Sequence, residues 1–158
     1  MDLGLKDARA FVAGSSQGLG FATAQKLAQE GALVAINGRT QTTLDIAASK
    51  IKEASGRPVH TIAGDVSQAG TAKKGIAQAV EALEGLDLLV TNTGGPPPGS
   101  FESFDDTDWQ GAMDLVFHAH VRLIRAALPH LRQSKLASVL TITSISAKQP
   151  IDNLILSN

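Results

Sequence analysis

The sequence predicts an α/β protein built on a doubly wound parallel sheet with helices on both faces. Short apolar runs alternate with longer segments in which apolar residues recur every three or four positions. This is the pattern of fully buried strands joined by amphipathic helices. A glycine-rich turn also separates the first apolar run from the first helical segment. Right-handed crossovers between such strands place helices on each side of the sheet.

The order of the elements is β-α-β-α-β-α-β-α-β. Strands are expected at residues 8–13, 32–36, 59–63, 86–90 and 137–142. Helices are expected at 18–30, 44–51, 67–83 and 109–131, with Ser67 as the N-cap of the third. Residues 144–158 show no helix-length pattern, and the chain ends as if an element were beginning. We therefore expect one domain over residues 1–158 that lacks its C-terminal strands.

Composition excludes several classes of protein. The 158 residues are 43% hydrophobic and 18% charged, which is typical of a globular domain rather than a disordered chain. A net charge of −1 disfavours a nucleic-acid-binding face, and the absence of cysteine excludes disulfides and thiolate chemistry. No signal peptide is recognisable, and no apolar run approaches the ~20 residues of a membrane span. We expect a cytoplasmic protein that binds neither nucleic acid nor membrane.

The glycine-rich turn has the features of a loop that binds a pyrophosphate. It reads GSSQGLG at residues 14–20, between a strand and a helix. Gly14 allows a tight turn, Gly18 lets the backbone approach a phosphate, and Gly20 lets the helix pack closely on the sheet. The helix N-terminus offers free N–H groups to the anion. The candidate contacts are Gly14, Ser16, Gln17, Gly18, Leu19 and Gly20; the alternative is a turn that binds no ligand.

Four motifs in order resemble those of the short-chain dehydrogenase/reductase family. AGSSQGLG at 13–20 is similar to its TGxxxGxG loop, with Ala13 in place of threonine. GDV at 64–66, TNTG at 91–94 and TS at 143–144 follow the third, fourth and fifth predicted strands. The likeness is greatest to 3-oxoacyl-[acyl-carrier-protein] reductase-like members. It implies a Rossmann fold and an oxidoreductase that acts on a small carbonyl or alcohol substrate.

The same resemblance implies roles for residues beyond the glycine loop. Asp65 and Val66 would contact adenine, although Asp65 could instead cap the following helix. Asn92 would hydrogen-bond the ribose region, although it could simply tie strand ends together, and Gly94 of the same motif would contact the cofactor. These alternatives stay open at the level of the sequence.

The end of the second predicted strand indicates which cofactor would bind. NAD-binding folds carry an acidic residue there, which accepts from the ribose 2′-hydroxyl. This chain has Arg39 and Thr40 instead. An arginine can hold a 2′-phosphate through two parallel hydrogen bonds, and Thr40 could add a hydroxyl contact. The sequence predicts NADP(H) in preference to NAD(H), unless Arg39 is only a solvated loop residue.

The catalytic positions depart from the family's pattern. Ser144 occupies the place of the serine that polarises the substrate carbonyl, although it could also be a strand-end turn or cap. The resemblance places the family's tyrosine at Ser157 and its relay asparagine at Val116, and the chain contains no tyrosine. The family's lysine would fall beyond Asn158. A serine hydroxyl is a much weaker acid than a phenol, so the usual proton donor is missing.

The sequence is therefore compatible with two functions of different classes. The first is an NADP(H)-dependent oxidoreductase, and the second is a nucleotide-binding protein that has lost its chemistry and serves as a sensor or interaction partner. No metal site is expected, because His118 and His120 are two residues apart on one predicted helix and so point to different faces. That helix is apolar on more than one side, and it forms subunit interfaces in the family, which implies a homo-oligomer (dimer or tetramer).

Overall fold

Five parallel strands form one sheet in the computed structural model, which describes residues 3–158. The strands are β1 (Arg9–Val12), β2 (Leu33–Gly38), β3 (Val59–Ala63), β4 (Leu88–Thr91) and β5 (Ser138–Thr141). Their order across the sheet is β3-β2-β1-β4-β5, and every neighbouring pair is parallel. The chain runs outward from β1 to β3 and then crosses back to β4. The predicted doubly wound parallel sheet, a Rossmann fold, is confirmed.

Helices cover both faces of this sheet. They are α1 (Gly18–Gln29), α2 (Gln41–Ser55), α3 (Thr71–Leu83), α4 (Asp106–Met113) and α5 (Ala119–Leu131). Successive residues of β1 point to opposite faces, so Phe11 packs with Ile76 of α3 and Leu123 of α5. Val12 packs with Leu44 of α2 in the second core. Burial on both faces explains why the central strands β1, β2 and β4 read as continuous apolar runs.

The third helix begins at Thr71 rather than at the predicted Ser67. The backbone N–H of Ser67 donates to Asp65 Oδ1 at 3.0 Å, and its hydroxyl donates to the same oxygen at 2.7 Å. These bonds hold residues 65–67 in a local turn, which delays the helix until after Gly70. Short polar side chains often compete with helical hydrogen bonds in this way.

The helix predicted over residues 109–131 is helical throughout, but it is not a single α-helix. It begins earlier, where Asp105 accepts hydrogen bonds from the backbone N–H groups of Thr107 and Asp108 and forms a capping box. It is then interrupted by a π-helical turn over Asp114–His118, before α5 continues to Leu131. An apolar pattern that continues through such a turn does not reveal the change in hydrogen bonding.

β5 forms an exposed edge of the sheet. All four of its residues are exposed, including Val139 at 41% and Leu140 at 53% of their full accessible surface. The following residues contain only a short 3₁₀ turn, Ile145–Ala147, and a single bridge between Gly99 and Leu154. Within residues 3–158, no helix is long and apolar enough to cross a membrane.

A buried carboxylate, that of Asp87, connects the amino-terminal ends of β1 and β4. Asp87 precedes β4 and accepts three bonds from Arg9 at the start of β1, from Nη2 at 2.7 Å and from Nε and the backbone N–H at 2.8 Å each. The Ser134 hydroxyl donates to it at 2.6 Å. The hydrogen bond from Arg9 holds the pKa of Asp87 well below its usual range. This cluster joins β1, β4 and the segment that leads to β5.

Replacing Asp87 by asparagine should lower the free energy of unfolding at pH 7 by about 1–3 kcal/mol, because charge-assisted bonds to Arg9 are lost. The lowered pKa of Asp87 means that its contribution is present above the unfolded value of about 3.9 and is lost as the pH falls below it. The gap between parent and D87N should therefore shrink below about pH 4. Urea unfolding at several pH values measures this.

Glu53→Gln is a matched control, because Glu53 is exposed on α2. It should change the free energy of unfolding by no more than about 0.5 kcal/mol. A D87N variant that behaves like this control at neutral pH would contradict the role given to Asp87.

Candidate functional site

A cleft of about 360 Å³ opens at the carboxyl ends of β1, β2 and β4. The strand order changes direction here, and open parallel sheets bind their ligands at such a switch point. Its walls come from the turns after four strands and from the π-helical turn. The lining residues are Gly14, Ser16, Gln17, Gly18, Leu19, Asn37, Gly38, Arg39, Gly64, Asp65, Val66, Asn92, Thr93, Gly94, Gly95 and Leu115.

The glycine loop forms one wall of this cleft, and Asn92 holds it there. Asn92 Nδ2 donates to the Gly14 carbonyl oxygen at 2.8 Å. A Cβ atom on Gly14 would lie 2.7 Å from the Asn92 carbonyl oxygen, and φ at Gly14 is +55°. A Cβ atom on Gly20 would lie 2.8 Å from Asn92 Nδ2, so Gly20 lies in the packing behind the cleft and not in its lining. Both glycines are needed for this close approach.

The N-terminus of α1 belongs to the same wall. The helix begins at Gly18, whose φ is +61°, and its first turn contains no acidic residue. A Cβ atom on Gly18 would meet no protein atom within 4 Å. The first amides of a helix have no partner within the helix and carry a partial positive charge. The wall is therefore suited to an anionic group such as a pyrophosphate.

Arg39 supplies a free cation at the cleft. It follows β2 directly, is exposed, and makes no ion pair or hydrogen bond with any residue of 3–158. Thr40 is not in the lining; its carbonyl oxygen accepts from the Thr43 hydroxyl at 2.8 Å in the first turn of α2. Of this predicted pair, only Arg39 faces the cleft.

Asp65 and Val66 form the wall beyond β3. Val66 is only 7% exposed, and Asp65 is half-buried. Asp65 Oδ1 accepts both bonds from Ser67, which belongs to a turn and not to a helix cap, while Oδ2 has no partner within residues 3–158. One carboxylate oxygen is therefore left to accept from a ligand.

Six of the lining residues were not among the predicted site residues. They are Asn37, Gly38, Gly64, Thr93, Gly95 and Leu115. Asn37 is 2% exposed, and its Nδ2 donates to the carbonyl oxygens of Ile62 at 2.9 Å and Gly64 at 3.1 Å. A polar residue at the end of an otherwise apolar strand was a signal for this role. Leu115 lies on the π-helical turn, which left no signal in the sequence.

Ser144 lies at the same edge of the sheet but not in the cleft lining. It follows β5, whose Thr141 pairs with Thr91 of β4. Its Oγ accepts from the backbone N–H of Ser146 at 3.1 Å, so it caps the 3₁₀ turn Ile145–Ala147. Ser157 contacts this turn as well, because its carbonyl oxygen accepts from the Ser146 hydroxyl at 3.0 Å.

The two histidines of the π-helical region have different surroundings. His118 Nδ1 lies 3.1 Å from Asp114 Oδ1. His120 is half-buried, which lowers its pKa, and its Nδ1 has no hydrogen-bond partner. Among residues 3–158, no three His, Cys, Asp or Glu side chains are grouped so that they could hold a metal ion.

The structure is a Rossmann-type fold with a cleft at its switch point. A family model described as short chain dehydrogenase matches residues 8–156. The chain belongs to this family.

Relatives of known sequence or structure agree with this assignment. The chain is 33% identical over 156 residues to an uncharacterised oxidoreductase of Bacillus subtilis, covering 98% of this chain and 58% of that protein. L-sorbose reductase from Gluconobacter frateurii, solved with NADPH and L-sorbose, superposes with a TM-score of 0.94 at 30% identity, over 99% of this chain and 60% of that one. An NADH-dependent reductase solved with NAD gives a TM-score of 0.91 at 27% identity, over 99% and 68%. The chain spans about half the length of the curated relatives it matches.

Gly20→Ala should destabilise the protein by about 1–3 kcal/mol, because the new methyl group would overlap Asn92 and the Gly14 backbone. Gly111→Ala is the matched control: Gly111 is exposed on α4, and a Cβ atom there meets nothing within 4 Å. This variant should be stabilised by about 0.5–1 kcal/mol. Urea unfolding compares the two, and equal tolerance would contradict the close contact at Gly20.

Proposed function

We propose that the protein is an NADP(H)-dependent oxidoreductase that interconverts a carbonyl and an alcohol. The observation that carries this proposal is that one cleft is lined by the glycine loop, Arg39 and Asp65. These features would serve the pyrophosphate, the 2′-phosphate and the adenine of a single dinucleotide. Membership of the short-chain dehydrogenase family supports the reaction class.

The cofactor preference is argued from charge. Arg39 is free to pair with a 2′-phosphate, and no acidic residue precedes it at the end of β2 to repel one. L-sorbose reductase was solved with NADPH, whereas another structural neighbour was solved with NAD. Both cofactors therefore fit this fold, and the side chain at residue 39 favours NADP(H) over NAD(H).

The chain's own residues would divide the work as follows. The glycine loop and the N-terminus of α1 would hold the pyrophosphate, and Asn92 and Gly94 would lie along the ribose. The bound nicotinamide would supply or accept a hydride. Ser144 would donate a hydrogen bond to the substrate carbonyl at the edge of the sheet. Its hydroxyl can do so while its oxygen still accepts from Ser146, since a hydroxyl both donates and accepts.

The substrate class and the assembly complete this proposal. We infer a small carbonyl or alcohol substrate, with 3-oxoacyl thioesters as the first class to test, because the motifs are most similar to the 3-oxoacyl reductase-like members.

A homo-oligomer, either a dimer or a tetramer, is supported by exposed apolar side chains along α4, the π-helical turn and α5. They are Met113, Phe117 and Leu128.

The absence of tyrosine favours a second candidate function. The cleft contains the polar and charged groups that nucleotide binding needs. The position of the family's proton donor, by contrast, holds Ser157. A protein with such a site could bind NADP(H) and act as a sensor or an interaction partner without turning over a substrate.

Arg39→Ala should remove the preference for NADPH over NADH, at a cost of about 1.5–3 kcal/mol in NADPH binding, because a charge-assisted contact is lost. NADH affinity should be nearly unchanged. Calorimetric titration of both nucleotides measures this, with Arg132→Ala, an exposed arginine after α5, as the control. Equal affinities for NADPH and NADH in the parent protein would refute the assignment of Arg39.

Turnover of acetoacetyl thioesters should be slower than in family members that contain the tyrosine. The missing general acid is typically worth about 10²- to 10⁴-fold. NADPH oxidation is followed in the parent and in Ser144→Ala, Ser157→Tyr and the control Ser138→Ala, an exposed serine of β5. Brisk activity that S144A abolishes would exclude the second function. An inactive parent that gains activity in S157Y would instead show a site that kept its geometry and lost its acid.

A further inference from the structure

Arg122 of α5 connects two walls of the cleft and is not itself part of the cleft lining. Its Nη1 donates to the Ser67 carbonyl oxygen at 2.7 Å, and its Nη2 donates to Asp114 Oδ1 at 2.7 Å. The Arg122 side chain is 28% exposed, as is that of Asp114. A single planar guanidinium therefore joins the turn after β3 to the π-helical turn.

The contact between Arg122 and Ser67 is connected to Asp65 through the hydrogen bonds of Ser67. Ser67 presents its carbonyl oxygen to Arg122, while its N–H and hydroxyl both donate to Asp65 Oδ1. Asp65 and Val66 line the cleft. Because residues 65–67 form one hydrogen-bonded turn, a restraint on Ser67 also restrains the carboxylate and the apolar side chain that face the ligand.

The second contact leads to the opposite wall. Asp114 is the first residue of the π-helical turn, and the next residue, Leu115, lines the cleft. Hydrogen bonds from Gln110, Arg122 and His118 hold the pKa of Asp114 below its usual value. The carboxylate therefore remains a charged anchor for Arg122 at neutral pH.

We propose that Arg122 is a positioning residue for the adenine end of the cleft, setting the separation of the Asp65–Val66 wall from Leu115 without touching the nucleotide. This inference rests on the proposed nucleotide-binding function. It differs from the role of Arg39, because adenine is common to both cofactors. The effect of Arg122 is accordingly the same for NADPH and NADH.

The geometry requires arginine rather than any cation. The two acceptors belong to different elements, and a guanidinium reaches both at once through separate nitrogens of a rigid fork. Lysine offers one compact ammonium group, so Arg122→Lys should retain only part of the effect. Arg122→Gln removes the charge and the fork while keeping a polar side chain on the half-exposed surface.

The test compares whole and partial nucleotides by calorimetry. Arg122→Gln should weaken NADPH, NADH and 2′,5′-ADP by the same factor, about 3- to 10-fold. Nicotinamide mononucleotide, which lacks adenine, should bind as it does to the parent. Arg125→Gln is the control, because Arg125 is exposed on the same helix and has no partner within residues 3–158. It should change none of these affinities.

Two further arms show whether Arg122 acts through residues 65–67. In an Asp65→Ala background, Arg122→Gln should have a smaller additional effect on NADPH affinity, because the carboxylate that links Ser67 to the cleft wall is gone. Without any nucleotide, hydrogen exchange at the Ser67 amide should be faster in R122Q than in the parent, and R122K should be intermediate.

Several outcomes would overturn the inference. A loss confined to NADPH would place Arg122 at the 2′-phosphate instead. A lower melting temperature with unchanged affinities would make the bridge purely structural. A parent protein that binds neither NADPH nor NADH would refute the proposed function, and unchanged exchange at Ser67 in R122Q would refute the restraint independently of any ligand.

Discussion

The contact between Asn92 and the glycine loop is the constraint on which the cleft depends. Asn92 follows β4 and donates to the Gly14 carbonyl oxygen that follows β1, so one hydrogen bond closes the gap between two adjacent strand ends. No side chain at Gly14 or Gly20 could fit beside it. Asn92 is only 9% exposed, and a buried side-chain amide is costly to leave without a hydrogen-bond partner. The loop is consequently fixed against the sheet and leaves its outer face to a ligand.

Other buried polar side chains also connect neighbouring strand ends around the cleft through hydrogen bonds. Ser15 is fully buried, and its hydroxyl donates to the Val12 carbonyl oxygen at 2.6 Å while accepting from the N–H of Asn37 at 3.0 Å. Asn37 in turn reaches across to the backbone of β3 and Gly64. Satisfied networks of this kind are rigid, because every alternative arrangement leaves a buried group without a partner. Four strand ends are thus held at fixed separations before any ligand binds.

Sequence periodicity predicted the fold well and its junctions less well. The strands were predicted from apolar runs, and β3 was predicted with its observed bounds. The start of α3 was missed because Asp65 and Ser67 prefer to bond with each other, and the π-helical turn was missed because apolar spacing is insensitive to one extra residue per turn. In the candidate site, the spacing of the glycines predicted the loop that forms one wall of the cleft. Asn37 gave a signal as a polar residue at the end of an apolar strand, whereas Leu115 reaches the cleft only through tertiary packing, which the local pattern cannot express.

The composition of the site separates binding from chemistry. Every group proposed to hold the dinucleotide lies in the turns that follow β1 to β4 or at the N-terminus of α1, and hydrogen bonds between strand ends hold these turns together. The positions at which the family carries its carbonyl-polarising serine, its proton donor and its relay residue lie instead after β5 and on the π-helical turn, and here they hold Ser144, Ser157 and Val116. Serine can polarise a carbonyl but is too weak an acid to replace a phenol. Replacement of the acid would therefore leave the residues proposed to bind the dinucleotide in place. Nucleotide affinity alone cannot distinguish the two proposed functions, and only the fate of the hydride can.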